Sequence, residues 1–226
     1  LALEYAMFGI FAGQGEVCSA GSRLLLERSL ADSFLPRLAA ACEIVVVGPG
    51  LDAGTEMGPL ISRAHQKKVL AYIQAGHDEG AELLCGGGGY TDHRAVGNFV
   101  QPTVFISTCP DMRIVREEIF GPVLVVQLFD TEEEALRLAN DSIYGLAGGV
   151  FTSDASRAQR VVRGLRAGIT WINCYHPTFN EAPWGGYKQS GIGRELGTYG
   201  YEAYTEVKQI THCINPQPLG WFKNLA

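Results

Sequence analysis

TEEEALRLANDSIYGLAGGVFTSDASRAQRVVRGLRAGITWIN, residues Thr131 to Asn173, switches repeatedly between two hydrophobic periods. Thr131 stands three residues before Glu134 in capping-box spacing, and apolar positions then recur at helical intervals to Asn140. Ala147 to Phe151 is short, uncharged and glycine-rich, as a buried strand is. Asp154 to Leu165 returns to helical spacing and Gly168 to Ile172 is again strand-like. This alternation predicts an α/β fold: a mostly parallel sheet covered by helices.

Working outward, Val104 to Ser107 and Val123 to Phe129 read as two further strands. Leu3 to Phe11 is helical, GQGEVCSAGS breaks it, and Arg23 to Leu26 suits a buried strand. Helices follow at Ala31 to Cys42 and Ser62 to Gly80, with Ser62 as N-cap and Gly80 as the stop. Beyond Asn173 runs a long loop rich in Gly, Pro and aromatics. The β-prone stretch Tyr204 to Ile214 then reads as an edge strand seeking a partner. There is no internal repeat, and Gly86 to Gly89 is the one low-complexity run. The opening LALEYAMFGIF reads as the middle of an uncapped helix, so the chain is expected to begin inside a larger protein.

With 226 residues, 46% hydrophobic and 19% charged, the chain can bury a sizeable core and lacks the signature of disorder. A net charge of -6 without clustered Lys or Arg argues against nucleic-acid partners. Tyr5 to Gly15 is too short to span a bilayer, so no membrane role is expected. Six cysteines lie far apart with no CxxC pair and no metal-ligand spacing, which points to a reduced, cytoplasmic setting and to no metal.

Three stretches carry candidate chemistry. In GQGEVCSAG, small residues allow a tight turn whose backbone N–H groups can meet developing negative charge beside Cys18; the alternative is a cysteine acting as a small hydrophobe. In EEIFGPV, Glu118 can accept ribose hydroxyls and Phe120 can flank a planar ring at a strand entrance, or the pair is a solvated Glu beside a core Phe. In NCYHPTFNEAPWGGYKQSGIGREL, aromatics sit on a loop after a strand end, where α/β sheets bind ligands, or they seal the core beneath it. Neither Gly86 to Gly89 nor GIGREL matches the dinucleotide fingerprint, so a complete cofactor-binding domain is not expected here.

Taken in order, GQGEVCSAGSRL, MGPLIS, EEIFGPVLVV, YGLAGGVFT, AGITWINC, PWGGYKQSGIGRELG and YTEVKQI resemble the aldehyde dehydrogenase superfamily, in its cysteine-bearing C-terminal half. The likeness is greatest to betaine aldehyde and broad-specificity members and runs to about Ile214. It implies a Rossmann-like, mostly parallel sheet with flanking helices plus a C-terminal oligomerisation strand. It divides the chain into a catalytic domain, 1–197, and a C-terminal segment, 198–226, with the NAD-binding half lying upstream.

The resemblance also implies NAD(P)-dependent oxidation of an aldehyde to a carboxylate, with NAD or NADP as cofactor and a homo-oligomer, dimer or tetramer, as the working form. Cys18 matches the nucleophile that forms a thiohemiacetal and then a thioester. Glu195 matches a proton-relaying glutamate. Glu118, Phe120 and Lys68 match cofactor contacts. Phe11, Thr178 and Trp184 are implied to line the aldehyde tunnel, where a tryptophan face can attract a cationic group. Ala12 replaces a second tryptophan of the plant betaine aldehyde enzymes, which leaves the cation cage incomplete, and Glu16 replaces a common glutamine. The family's oxyanion-binding Asn and general-base Glu match nothing in the chain. Two other functions fit the residues: a catalytically silent piece that only folds or assembles with partners, and a cofactor-independent cysteine esterase or acyl transferase, of which a CoA-acylating dehydrogenase is a relative.

Overall fold

Val123–Phe129, VLVVQLF, is an almost unbroken apolar run, and in the computed structural model, which describes residues 1–106 and 109–221, it forms the strand at the centre of the main sheet. That sheet has four strands in the order β1-β4-β3-β2: β1 is Arg23–Glu27, β2 Glu82–Cys85, β3 Thr103–Ile106 and β4 Val123–Phe129. β4 runs parallel to both β1 and β3, while β2 closes the far edge antiparallel to β3. A strand with neighbours on both sides and helices on both faces must be apolar at every position, and Val123, Leu124, Val125 and Val126 are each at most 1% exposed. Burying each such side chain stabilises the fold by roughly 1.5–3 kcal/mol. The polar exception, Gln127, is matched: its Oε1 accepts from Arg23 Nε at 3.1 Å and Nη2 at 2.8 Å.

One core packs α1 (Ala2–Phe11) and α2 (Ala31–Glu43) on one side of the sheet, through Ile10, Phe11, Leu38 and Val126. The other packs α3 (Arg63–Asp78) and α4 (Arg113–Arg116) on the opposite side, through Val69, Ile73, Phe105 and Val125. α5 (Glu132–Asn140) follows β4, and β5 (Tyr144–Gly145) leads to β6 (Ala147–Val150). α6 (Ala155–Gly164) then joins β6 to its parallel partner β7 (Ile169–Ile172) in a separate two-stranded sheet. β8 (Tyr187–Lys188) pairs with β5, and α7 (Gly197–Glu202) is the last element.

The caps explain the boundaries. Ser62, Thr131 and Asp154 each accept a backbone N–H from the first turn of α3, α5 and α6. The expected strand Val104 to Ser107 is found over Thr103–Ile106; Ser107 lies outside the described residues. The expected mostly parallel sheet is found, with β2 as an antiparallel edge that returns to β3 around the glycine run. One expectation is corrected. The expected strand Tyr204 to Ile214, the C-terminal oligomerisation strand, pairs with nothing: these residues lie exposed with no strand ladder, because strand geometry is fixed by a partner and the described chain supplies none. No helix among the described residues is long and apolar enough to cross a membrane.

Candidate active site

β1 and β4 are parallel neighbours, so the turns that enter them lie at the same end of the sheet. The turn entering β1 carries Cys18, and the turn entering β4 carries Glu118 and Phe120. Topology alone therefore brings together two motifs a hundred residues apart in sequence.

The chain leaves α1 through Ala12–Gly15, where Gly13 (φ 61), Gln14 (φ 57) and Gly15 (φ 71) are successively left-handed. This winds the backbone back so that Cys18 is presented to solvent, exposed on the wall of a cavity of about 590 Å³ that Glu118 and Phe120 also line. The following residue is locked down. Ser19, 3% exposed, holds its Oγ 3.2 Å from His176 Nδ1, and its carbonyl accepts the Tyr175 hydroxyl at 3.1 Å. His176 Nε2 lies 3.3 Å from the Gly9 carbonyl, which can only accept, so Nε2 carries the ring proton and Nδ1 accepts from Ser19. Gly21 N–H also donates to the Gly9 carbonyl, at 2.8 Å. A free thiol thus projects from a turn bolted to α1 and to the loop after β7.

Cys42 is the opposite case. It is buried, and its contact with Cys85 together with burial holds its thiol well above the ordinary cysteine range, a protonated packing group.

In the second turn, side chains alternate between anchor and display. Glu117 is engaged by Arg113 and by the Tyr72 hydroxyl at 2.7 Å, and these hydrogen bonds hold its carboxyl below the usual glutamate range. Ile119, 4% exposed, plugs the core. Between and after them Glu118 is exposed and Phe120 is half-buried with φ 60. An exposed carboxylate and an aromatic lining the same cavity as a thiol suit a ribose joined to a planar base, so these residues fit the nicotinamide end of NAD(P).

Lys68 is nearby: its Nζ donates to the Glu118 carbonyl at 3.4 Å, although it does not line the cavity. Phe11, Thr178, Trp184 and Glu195 are also absent from that wall. Phe11 is 4% exposed in the core beneath α1. Thr178 is exposed and donates to the His176 carbonyl at 3.1 Å. Trp184 and Glu195 exchange two backbone hydrogen bonds of 2.7 Å, so the structure brings these two together. Trp184 stands 6.3 Å from Trp171, which lies 4.7 Å from Tyr175 and 6.2 Å from His176, so an aromatic cluster connects this bridge to the Cys18 turn.

Sequence reasoning missed Ser19, His176 and His65. His65 Nε2 lies 2.6 Å from the Phe120 carbonyl, and a signal existed: His65, Lys68 and Tyr72 share one helical face, at spacings of three and four. Among the described residues no group of His, Cys, Asp and Glu side chains is placed to hold a metal ion.

Residues 1–210 match the aldehyde dehydrogenase family. A betaine aldehyde dehydrogenase of Bacillus subtilis is 49% identical over 225 residues, 99% of this chain and 46% of that protein. A peroxisomal aminoaldehyde dehydrogenase 2 of Pisum sativum is 44% identical over 222 residues, 98% of this chain and 44% of that one. A betaine aldehyde dehydrogenase from Staphylococcus aureus, solved in complex with NAD+, superposes with a TM-score of 0.95 at 49% identity, covering 98% of this chain and 44% of its own. The chain spans about half the length of the relatives it matches. A match through residue 210, near-half identity and a shared fold together mean that the chain belongs to the aldehyde dehydrogenase family.

Proposed function

We propose that this chain is the thiol-bearing half of a subunit that oxidises an aldehyde to a carboxylate with NAD(P), Cys18 being the nucleophile. The observation that carries this reading is the exposed Cys18 lining the same cavity as Glu118 and Phe120. The Cys18 sulfur, as thiolate, adds to the aldehyde carbon, and the carbonyl π pair becomes an oxyanion that the Cys18 backbone N–H can meet. Glu118 would hold a bound NAD(P) through its nicotinamide ribose with Phe120 beside it, and that cofactor would supply the acceptor for the hydride lost from the carbon. The thioester left on Cys18 is cleaved by water: the C–O bond forms, the C–S bond breaks, and a proton departs, for which Glu195 is our candidate relay.

Relatives support the use of a nicotinamide cofactor and of a reactive cysteine. The Staphylococcus aureus enzyme binds NAD+, and a variant of it carries a BME-modified cysteine. Lys68 is our further cofactor contact, and Phe11, Thr178 and Trp184 our aldehyde-side residues. Trp184 leads in that set because two relatives are named for betaine aldehyde and aminoaldehydes, whose ammonium groups a ring face attracts. We assign residues 1–197 to the catalytic unit and 198–226 to an oligomerisation segment that supports a homo-oligomer, a role suited to its exposed Tyr204, Val207, Ile210 and Ile214. The six cysteines lie far apart in the sequence with no CxxC pair, which supports a reducing, cytoplasmic setting.

The test is Cys18→Ala in the complete subunit. Aldehyde-dependent NAD(P) reduction should vanish, and retained turnover removes the assignment.

A second reading applies to this chain on its own: a silent piece that needs partners. It is favoured by β1, an outer strand of the main sheet whose free edge faces the same cavity as β6. Open edges of this kind recruit strands. Turnover by the purified 226-residue chain would contradict it.

A further inference from the structure

The Cys18 turn and the Glu118–Phe120 turn are joined by a bridge of two side chains. From α3, His65 Nε2 points at the Phe120 carbonyl, 2.6 Å away, and lies 3.4 Å from Glu16 Oε1. The Phe120 carbonyl can only accept, so Nε2 donates to it, with the Glu16 carboxylate oxygen in contact beside that bond. Glu16 Oε1 also accepts the Ile61 N–H at 3.1 Å, which fixes the carboxylate from a third segment, just before α3. The imidazole meets the Phe120 ring edge-on at a centroid distance of 6.2 Å. The His65 and Glu16 side chains are only 15% and 13% exposed, so solvent does little to screen the contact. Phe120 has φ 60, a conformation that a bulky residue keeps only when its surroundings impose it, and the His65 contacts to its carbonyl and ring are part of those surroundings.

We propose that Glu16 and His65 are a positioning pair that sets the distance between the thiol and the ribose-binding carboxylate. Neither touches the reacting atoms. Glu16 lies two residues before Cys18 and His65 grips the residue two after Glu118, so the pair spans the gap that hydride transfer has to cross. This rests on the reading in which Cys18 is the nucleophile and Glu118 holds the ribose. It adds that the two turns are held in register by the pair rather than by backbone packing alone.

The experiment uses the complete subunit with NAD and propanal as probes, and iodoacetamide to report Cys18 reactivity. Glu16→Met and His65→Met keep side-chain bulk while removing acceptor and donor. Each should weaken NAD binding by about tenfold, and the double variant should be no worse than either single one, because the two groups act as one contact. The iodoacetamide rate should not move, whereas a general collapse of the Cys18 turn would change it. Glu16→Gln and His65→Gln, which retain an acceptor and a donor, should restore NAD affinity. The proposal is overturned by unchanged NAD affinity in both Met variants, by effects that multiply in the double variant, or by an iodoacetamide rate that falls with them. If the Met variants do not fold, the Glu16→Gln/His65→Gln double variant decides: wild-type NAD affinity supports the pair, and a tenfold loss overturns it. Failure of the underlying reading looks different, since wild-type enzyme would then show no propanal-dependent NAD reduction or Cys18→Ala would retain it.

Discussion

The backbones of Gly15 and Gly121 meet: a β-carbon placed on Gly15 would collide with the Gly121 carbonyl oxygen. Gly15 also has φ 71, so a side chain there is penalised by its own conformation and by the opposing turn at once. Gly15→Ala should therefore cost roughly 2–3 kcal/mol of stability and separate the Cys18 turn from the Glu118 turn. Chemical denaturation should show a lower midpoint, and NAD affinity should fall alongside it. An alanine variant with wild-type midpoint and affinity would show that the turns have room to part.

Glu118 and Glu117 are neighbours with different duties, and substitution should separate them. Both residues line the cavity, but the Glu117 carboxylate is already spent on Arg113 and Tyr72, whereas Glu118 is exposed with no side-chain hydrogen bond drawn on it among the described residues. Glu118→Gln should raise KM for NAD by about tenfold, the worth of a charge-assisted bond to a ribose hydroxyl, and leave folding unchanged. Glu117→Gln should do the reverse, with a small loss of stability and little change in KM, because an exposed ion pair contributes little. Equal KM values for the two variants would remove Glu118 from the cofactor site.

Much of this architecture is legible in the chain because it is written locally. The β4 run declares a central strand by having no polar face, and Ser62, Thr131 and Asp154 mark helix starts by chemistry confined to one turn. β2 was not legible, since ELLC is four residues with no alternation, and only β3 makes it a strand. The stretch from Tyr204 to Ile214 shows the converse: high strand propensity is not expressed without a neighbour. For the site, motif resemblance supplied Cys18, Glu118 and Phe120, but the contacts that hold them were hidden. His65 to Phe120 spans 55 positions and His176 to Ser19 spans 157, and no periodicity encodes such pairings.

The Ser62 cap is linked to the site through α3. Its hydroxyl accepts the His65 backbone N–H at 3.1 Å, so the residue that secures the helix start also orients the one that reaches Phe120. Ser62→Ala should cost about 1 kcal/mol by leaving a first-turn N–H unpaired. Ser62→Asp should restore it, because a carboxylate at the N-terminus both accepts the bond and meets the helix dipole. Thermal unfolding of the two variants checks this, and an alanine variant as stable as wild type would mean that water serves as the cap.

Tyr175 ties the Cys18 turn to the loop after β7, and burial pushes its phenol above the ordinary value of 10.0. The sign follows from which state keeps the proton. Above pH 10.0 the unfolded chain has begun to release the Tyr175 proton while the folded chain still holds it, so unfolding releases a proton and alkali promotes it. The stability this group contributes is intact below that pH and is lost as pH rises toward the folded value, with a slope of up to about 1.4 kcal/mol per pH unit. Tyr72 and Tyr90 shift in the same direction, so the measurement has to be a difference between wild type and Tyr175→Phe. At neutral pH the phenylalanine variant should be less stable by about 1 kcal/mol, having left the Ser19 carbonyl without its donor. Between pH 10 and 11 the gap should close, because the variant has no phenol to ionise. Denaturation midpoints across that range decide it: a gap that stays constant with pH would mean that Tyr175 titrates alike in both states and that its ring is not shielded from water.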